Sequence, residues 1–273
     1  AQLLDPAASI TYLVCALSIV ALVIGITLRD HIGWNDAAFG ALVGAFPNTG
    51  FLGVPLLVAL LGKQAAGTAI VTILVDLVVT TSLCIALSRL GGLATSAGGD
   101  AQRVSPAQAA RNALRGVATN PMLWAILSGA FASAFGLALP GPANATLGLL
   151  ADCASPMALF TIGAVLARSN ILAQEGQAPA VAWLDVLPVV AIKLLIHPLL
   201  VLAAGLVAQA LDAPLEDSAL TVMVLVAALP SASNVAMLAE RFGANNGRIA
   251  RIILVSTALA FFTFAAAVAL MTG

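Results

Sequence analysis

The 273-residue sequence is 61% hydrophobic and 8% charged, with a formal net charge of −1. An ordinary soluble domain carries roughly a quarter charged residues, so this composition excludes one and marks a polytopic membrane protein. It also lacks the charge blocks that bind nucleic acid, and Cys15, Cys84 and Cys153, far apart in apolar runs, fit neither a disulfide framework nor a zinc site.

A helix crossing a bilayer needs about 20 apolar residues, and stretches of that kind recur eight times. They lie near 10–28, 37–61, 65–87, 121–139, 143–167, 183–210, 219–238 and 252–271. The first has no basic n-region and no small-residue cleavage site, so it reads as a span and not as a signal peptide. The expected fold is an all-α membrane protein. Between spans three and four, Ser105-Pro106 opens a short helix in a Gly/Ser/Ala-rich loop. Arg111 and Arg115 share one face of it, which suits contact with anionic headgroups; a plain solvated loop is the alternative.

The arginines fix an orientation. Arg29 follows span one, Arg89, Arg103, Arg111 and Arg115 lie in the long loop, Arg168 follows span five, and Arg241, Arg248 and Arg251 follow span seven. The opposite loops offer only Lys63. By the positive-inside rule the arginine-bearing loops face the cytoplasm, and both ends of this chain lie outside the plasma (inner) membrane. Asp212, Glu216 and Asp217, with no base beside them, suit the outer side.

Span two holds the most irregular stretch, Phe46-Pro47-Asn48-Thr49-Gly50-Phe51-Leu52-Gly53-Val54-Pro55. Pro47 cannot bond the carbonyl of Val43, nor Pro55 that of Phe51, so polar backbone is freed where lipid cannot satisfy it. The helix is expected to break at mid-membrane. Secondary transporters build substrate sites from such breaks, with half-helix N-termini facing anions and unwound carbonyls facing cations. A proline kink relieved by neighbouring helices is the plainer alternative.

Span seven repeats the pattern, with Ala228-Leu229-Pro230-Ser231-Ala232-Ser233-Asn234 echoing Ala45-Phe46-Pro47-Asn48-Thr49-Gly50. Span two enters from the arginine side and span seven from the acidic side, so the two run in opposite directions. That is the mark of an inverted repeat whose site forms where the interrupted helices meet. Three spans precede the arginine-rich loop and five follow it. Residues 1–90 therefore read as the end of a first repeat lacking its first two helices, 91–118 as the connecting loop, and 119–273 as a second repeat. The start at Ala1, without a methionine, agrees with a fragment or a processed form.

At these residues the sequence resembles the auxin efflux carrier family, which includes plant auxin carriers and bacterial permeases of malonate and malate. Pro47-Asn48-Thr49 followed by Gly53-Val54-Pro55-Leu56-Leu57 is similar to the family's crossover motif. Further similarity lies in Asn120-Pro121, in Pro156 to Gly163, and from Ala228 to Gly243. The resemblance implies ten helices in two inverted repeats of five, with helices four and nine broken and crossed, and an elevator motion against a homodimeric scaffold. Plant members carry a second proline where this sequence has Val235, so the break in span seven is expected to rest on Pro230 alone.

Asn48 and Thr49 offer an amide and a hydroxyl beside freed backbone, suited to a carboxylate, and Ser231, Ser233 and Asn234 offer the same from the other repeat. With Pro55 and Pro230 at the breaks and Gly50 and Gly53 as points of close approach, these are the candidate substrate-binding residues. Alternatively these small polar groups satisfy one another at a helix crossing. Asp76, Asp152 and Lys193 are charged groups inside spans, costly in lipid, and are candidates for proton coupling. A static Asp76–Lys193 pair is the alternative, and His197 reads as a hydrogen-bonded core histidine.

The expectation is a permease for small mono- or dicarboxylates, linked to protons, needing no cofactor or metal and partnered by the bilayer and a second copy. A sodium-coupled carrier like the bile acid symporters, with carbonyls near Asn48 and Asn234 holding the ion, is the alternative, and a structural membrane subunit is another. An aspartyl protease built on Asp76 and Asp152 is disfavoured, since neither has a Gly-rich signature around it.

Overall fold

The computed structural model describes residues 6–29, 32–89, 139–174 and 181–273, with 124–125, 128–129, 131–132 and 135–137 between them. The 91–118 loop and much of span four lie outside the described residues. Helix α1 (Pro6–Thr27) is followed by α2 (Trp34–Ala45), a π-helical turn (Thr49–Gly53) and α3 (Val54–Leu61). Then come α4 (Ala65–Val75), a second π-helical turn (Asp76–Thr80) and α5 (Thr81–Ser88), which together form one rod. Helix α6 (Gly141–Gln174) runs through Pro156. A 3-10 turn (Trp183–Asp185), α7 (Leu187–Ala191), a third π-helical turn (Ile192–Ile196) and α8 (His197–Ala210) form another rod, followed by α9 (Asp217–Ala228), α10 (Asn234–Arg241) and α11 (Asn246–Thr272).

The named elements are all helices or helical turns, because backbone in hydrocarbon must satisfy itself. Among the described residues, four rods are long and apolar enough to cross a membrane: Pro6–Thr27, Ala65–Ser88, Trp183–Ala210 and Asn246–Thr272. The two sequence segments expected to break, spans two and seven, are instead divided into shorter helices, α2 with α3 and α9 with α10.

Two apolar cores stack along the rods. One joins the second half of α1 to α2, α7, α10 and the first half of α11, and includes Phe39, Leu42, Val189 and Ile252. The other joins the first half of α1 to α4, α8 and α9, and includes Tyr12, Leu57, Val201 and Leu225. Helices α8 and α9 approach closely at Gly205, where a Cβ would collide with the Leu220 side chain. Small residues at such contacts let backbones close in where lipid gives no hydrophobic drive.

The arginine-bearing end is fastened around Arg248, which is 3% exposed. Its Nε donates to the Asp185 carbonyl at 3.0 Å and its Nη1 to the Asp36 carbonyl at 2.9 Å. The Asn245 side chain accepts from the Arg248 amide, capping α11, while the Asn245 amide donates to Asp36 Oδ1 at 2.6 Å. Asn35 donates to the Phe242 carbonyl, and Phe39 and Phe242 rings lie 5.8 Å apart. The start of α2 and the end of α10 are thereby joined. Arg168 bridges to Glu240 at 3.0 Å and Arg89 stands over the Phe242 ring, so these arginines share one end of the molecule. Replacing Arg248 with methionine is expected to lower unfolding stability by about 3 kcal/mol, the worth of charge-assisted bonds to two carbonyls left unpaired. Thermal unfolding in detergent checks this, and an unchanged midpoint would remove Arg248 from that role.

Candidate functional site: the crossing of two interrupted helices

Helix α2 stops at Ala45 and α9 at Ala228, each two residues before a proline. A residue preceding proline is pushed out of the helical region by the ring, and both preceding residues are extended: Phe46 at φ −87°, ψ 106° and Leu229 at φ −63°, ψ 154°. The two unwound segments meet and pair antiparallel, with Pro47 opposite Ser231. The Asn48 amide donates to the Pro230 carbonyl at 2.8 Å, and the Ala232 amide donates to the Phe46 carbonyl at 2.9 Å. Backbone groups freed by one proline thus satisfy those freed by the other. The crossing is docked on α11, where the Ser231 amide donates to Ser256 Oγ at 3.2 Å.

Beyond the pair each chain resumes as helix, at Thr49 and at Asn234. The second break expected at Pro55 is corrected. In the turn Thr49–Gly53 the Gly53 and Val54 amides reach back five residues, to the Asn48 and Thr49 carbonyls, and Pro55 then falls in the first turn of α3, where a missing donor costs little. In span seven the unwound segment is Leu229–Ser233, and Val235 is already inside α10, so the break rests on Pro230. Gly53 lies against the other chain: a Cβ there would stand 2.5 Å from Leu229 Cδ1.

The polar groups at the crossing are incompletely satisfied. Thr49 and Ser231 are both fully buried, and neither Thr49 Oγ1 nor Ser231 Oγ has a hydrogen-bond partner. Buried polar atoms of this kind cost free energy unless something engages them. Asn48 occupies the N-cap position of the turn Thr49–Gly53, yet its half-buried side chain makes no capping bond. Ser233 is buried and Asn234 half-buried at the start of α10, whereas Gly50 and Pro55 are exposed. On the outer flank an apolar groove of about 490 Å³ runs between α3 and α11, with Leu52, Leu56, Phe261 and Phe264 along it and Leu229 and Pro230 at its inner wall. A second cavity of about 730 Å³, lined by Gln64, Thr68, Glu216, Ser218 and Thr221 among others, opens at the end opposite the arginines.

The in-span charges do not form one set. Asp76 is fully buried, its Oδ2 accepting from the Tyr12 hydroxyl at 2.9 Å and its Oδ1 from the Thr80 hydroxyl at 3.1 Å. Lys193 is fully buried too, with Nζ 3.1 Å from His197 Nδ1 and donating to the Ala227 carbonyl at 3.0 Å. The Tyr12 and His197 rings lie 6.1 Å apart between them. The direct Asp76–Lys193 pair is therefore not formed, and His197 is a hydrogen-bonded core histidine as expected. Asp152 is exposed on α6, whereas Asp76 is buried. Tyr12, Thr80 and the three π-helical turns were not anticipated, although Tyr12 is the one tyrosine in the sequence and sits in an otherwise apolar run. Turns of this type recur at functional positions, and here they carry Thr49, Asp76 and Lys193.

A family model described as "Membrane transport protein" matches residues 6–268. The chain belongs to that family. Its membership agrees with the resemblance to auxin efflux carriers drawn from the crossover residues. A protein named "Putative malonate transporter" in Rhizobium meliloti (strain 1021) is 29% identical over 253 residues, covering 93% of this chain and 72% of that protein. A protein named "Uncharacterized transporter YfdV" in Escherichia coli (strain K12) is 29% identical over 207 residues, covering 76% of this chain and 59% of its own length. This member of the membrane transport protein family is thus an all-helical membrane protein across its described residues.

Proposed function

We propose that this chain is a secondary transporter of small organic anions, malonate or a near carboxylate, and that the anion is held at the crossing. The observation that carries the reading is the pair of buried hydroxyls without partners, on Thr49 and Ser231, beside the antiparallel contact of the two interrupted helices. Half-helices restart at Thr49 and Asn234, so the first-turn amides of both lie beside these hydroxyls. Asn48 adds an uncommitted amide, Ser233 and Asn234 line the second restart, and Gly53, Pro55 and Pro230 shape the backbone, whereas the close approach expected at Gly50 is not formed. The name borne by the Rhizobium relative agrees with a dicarboxylate.

Asp76 is the group that carries a coupled proton in this proposal. It is a carboxyl inside a span, held by two neutral hydroxyls, and ionisable groups at such depth mark proton relays. The arginine-bearing end faces the cytoplasm, the 730 Å³ cavity opens outward as a vestibule, and the crossing moves past a homodimeric scaffold in an elevator fashion.

The test is uptake of labelled malonate and other mono- and dicarboxylates into proteoliposomes, with and without proton and sodium gradients. Uptake above empty liposomes, driven by an inward proton gradient, is the expected result. Drive by sodium alone would move the coupling to carbonyls near Asn48 and Asn234, and no uptake of any carboxylate would refute the reading.

A further inference from the structure

The crossing brings four helix ends together: the C-termini of α2 and α9, at Ala45 and Ala228, and the N-termini that follow at Thr49 and Asn234. Each end is worth about half an elementary charge, positive at an N-terminus and negative at a C-terminus, so the four nearly cancel. The backbone of the crossing alone therefore has little reason to prefer an anion over a neutral molecule or a cation. None of the candidate binding residues carries a charge either, since Asn48, Thr49, Ser231, Ser233 and Asn234 are all neutral.

Lys193 breaks the balance. Its fully buried ammonium donates to the carbonyl of Ala227, one of the last carbonyls of α9 and one of those left without an intrahelical partner. It is fixed from its other side by His197 Nδ1, and the π-helical turn Ile192–Ile196 sets it at this depth. The other in-span charge of this cluster, Asp76, accepts from the hydroxyls of Tyr12 and Thr80 and makes no ion pair with Lys193, whose bonds go to His197 and Ala227. A buried lysine spent on a helix C-terminus, with a carboxylate close by but unpaired with it, is a poor device for stability alone.

We propose that Lys193 is the residue that makes the crossing selective for anions: its charge cancels the negative end of α9, leaving the two N-termini in excess. His197 is its positioning residue. Lys193 does not touch the substrate and acts through α9 and the local field. This inference rests on the proposed anion site and names what sets that site's charge preference.

The test compares equilibrium binding of labelled malonate with its displacement by malonamide, its neutral counterpart, for purified wild-type protein, Lys193→Gln and Lys193→Arg. Lys193→Gln keeps a donor for the Ala227 carbonyl without the charge, and Lys193→Met serves if the glutamine variant melts early. The expected result is a tenfold or greater loss of preference for malonate over malonamide in Lys193→Gln, read by equilibrium binding to protein whose thermal unfolding shows it folded. Lys193→Arg should retain the preference, which a lysine needed only for packing would not require. A neutral variant with wild-type preference overturns the inference and leaves the anion site standing. Wild-type protein that binds malonate no better than malonamide overturns it as well. A wild type that binds neither compound overturns the site itself, and the selectivity with it.

Discussion

Replacing Asn48 by alanine is expected to lower uptake of the labelled anion about ten- to a hundredfold while the protein remains folded and inserted. The backbone of Asn48 is committed: its amide pairs with the Pro230 carbonyl and its own carbonyl accepts from Leu52 and Gly53. Alanine keeps all three bonds. Its side chain, however, stands at the N-cap of a half-helix without capping it, a position where asparagine usually bonds the following amides. Only the side-chain amide is removed, and a hydrogen bond to a charged partner is worth about 1.5–3 kcal/mol, which sets the expected factor. Uptake in proteoliposomes together with thermal unfolding separates the two effects. Wild-type uptake would take Asn48 out of the site.

Substituting Gly53 with valine is expected to abolish uptake and to lower the unfolding midpoint. A Cβ at this position would lie 2.5 Å from Leu229 Cδ1 and 3.2 Å from Thr49 Cγ2, so the two chains must part just where they cross. Overpacking of this kind costs about 1–3 kcal/mol in a closed core. Gly50 supplies the internal control, because nothing lies within 4 Å of a Cβ built there. Gly50→Ala should transport normally. Equal behaviour of the two variants would mean that the contact between Gly53 and Leu229 is not needed for transport.

The interruption of spans two and seven was legible because its cause is local: proline in mid-span removes a donor and forces the preceding residue to extend, as Phe46 and Leu229 do. Their opposed directions followed from counting arginines, which need only be near helix ends. Pro55 misled, because whether a proline breaks a helix depends on where in the helix it falls, and the widened turn Thr49–Gly53 places it in a first turn. Arg248 also read only as one more loop arginine beside Arg241 and Arg251. Its burial depends on carbonyls of Asp36 and Asp185, 212 and 63 residues away, which periodicity cannot reveal. Tyr12 and Asp76 are likewise brought together over 64 residues. The sequence displays the residues of the polar cluster, but their pairing is set by helix packing.

Equilibrium binding of labelled malonate to the Thr49→Val, Ser231→Ala double variant tests the central claim most directly. Both hydroxyls are buried without partners, so removing them should leave the unfolding midpoint unchanged or raise it. If an organic anion is held at the crossing, the same variant should bind malonate at least about tenfold more weakly than wild type. Undiminished affinity in a fully folded double variant would contradict an anion site between the two interrupted helices.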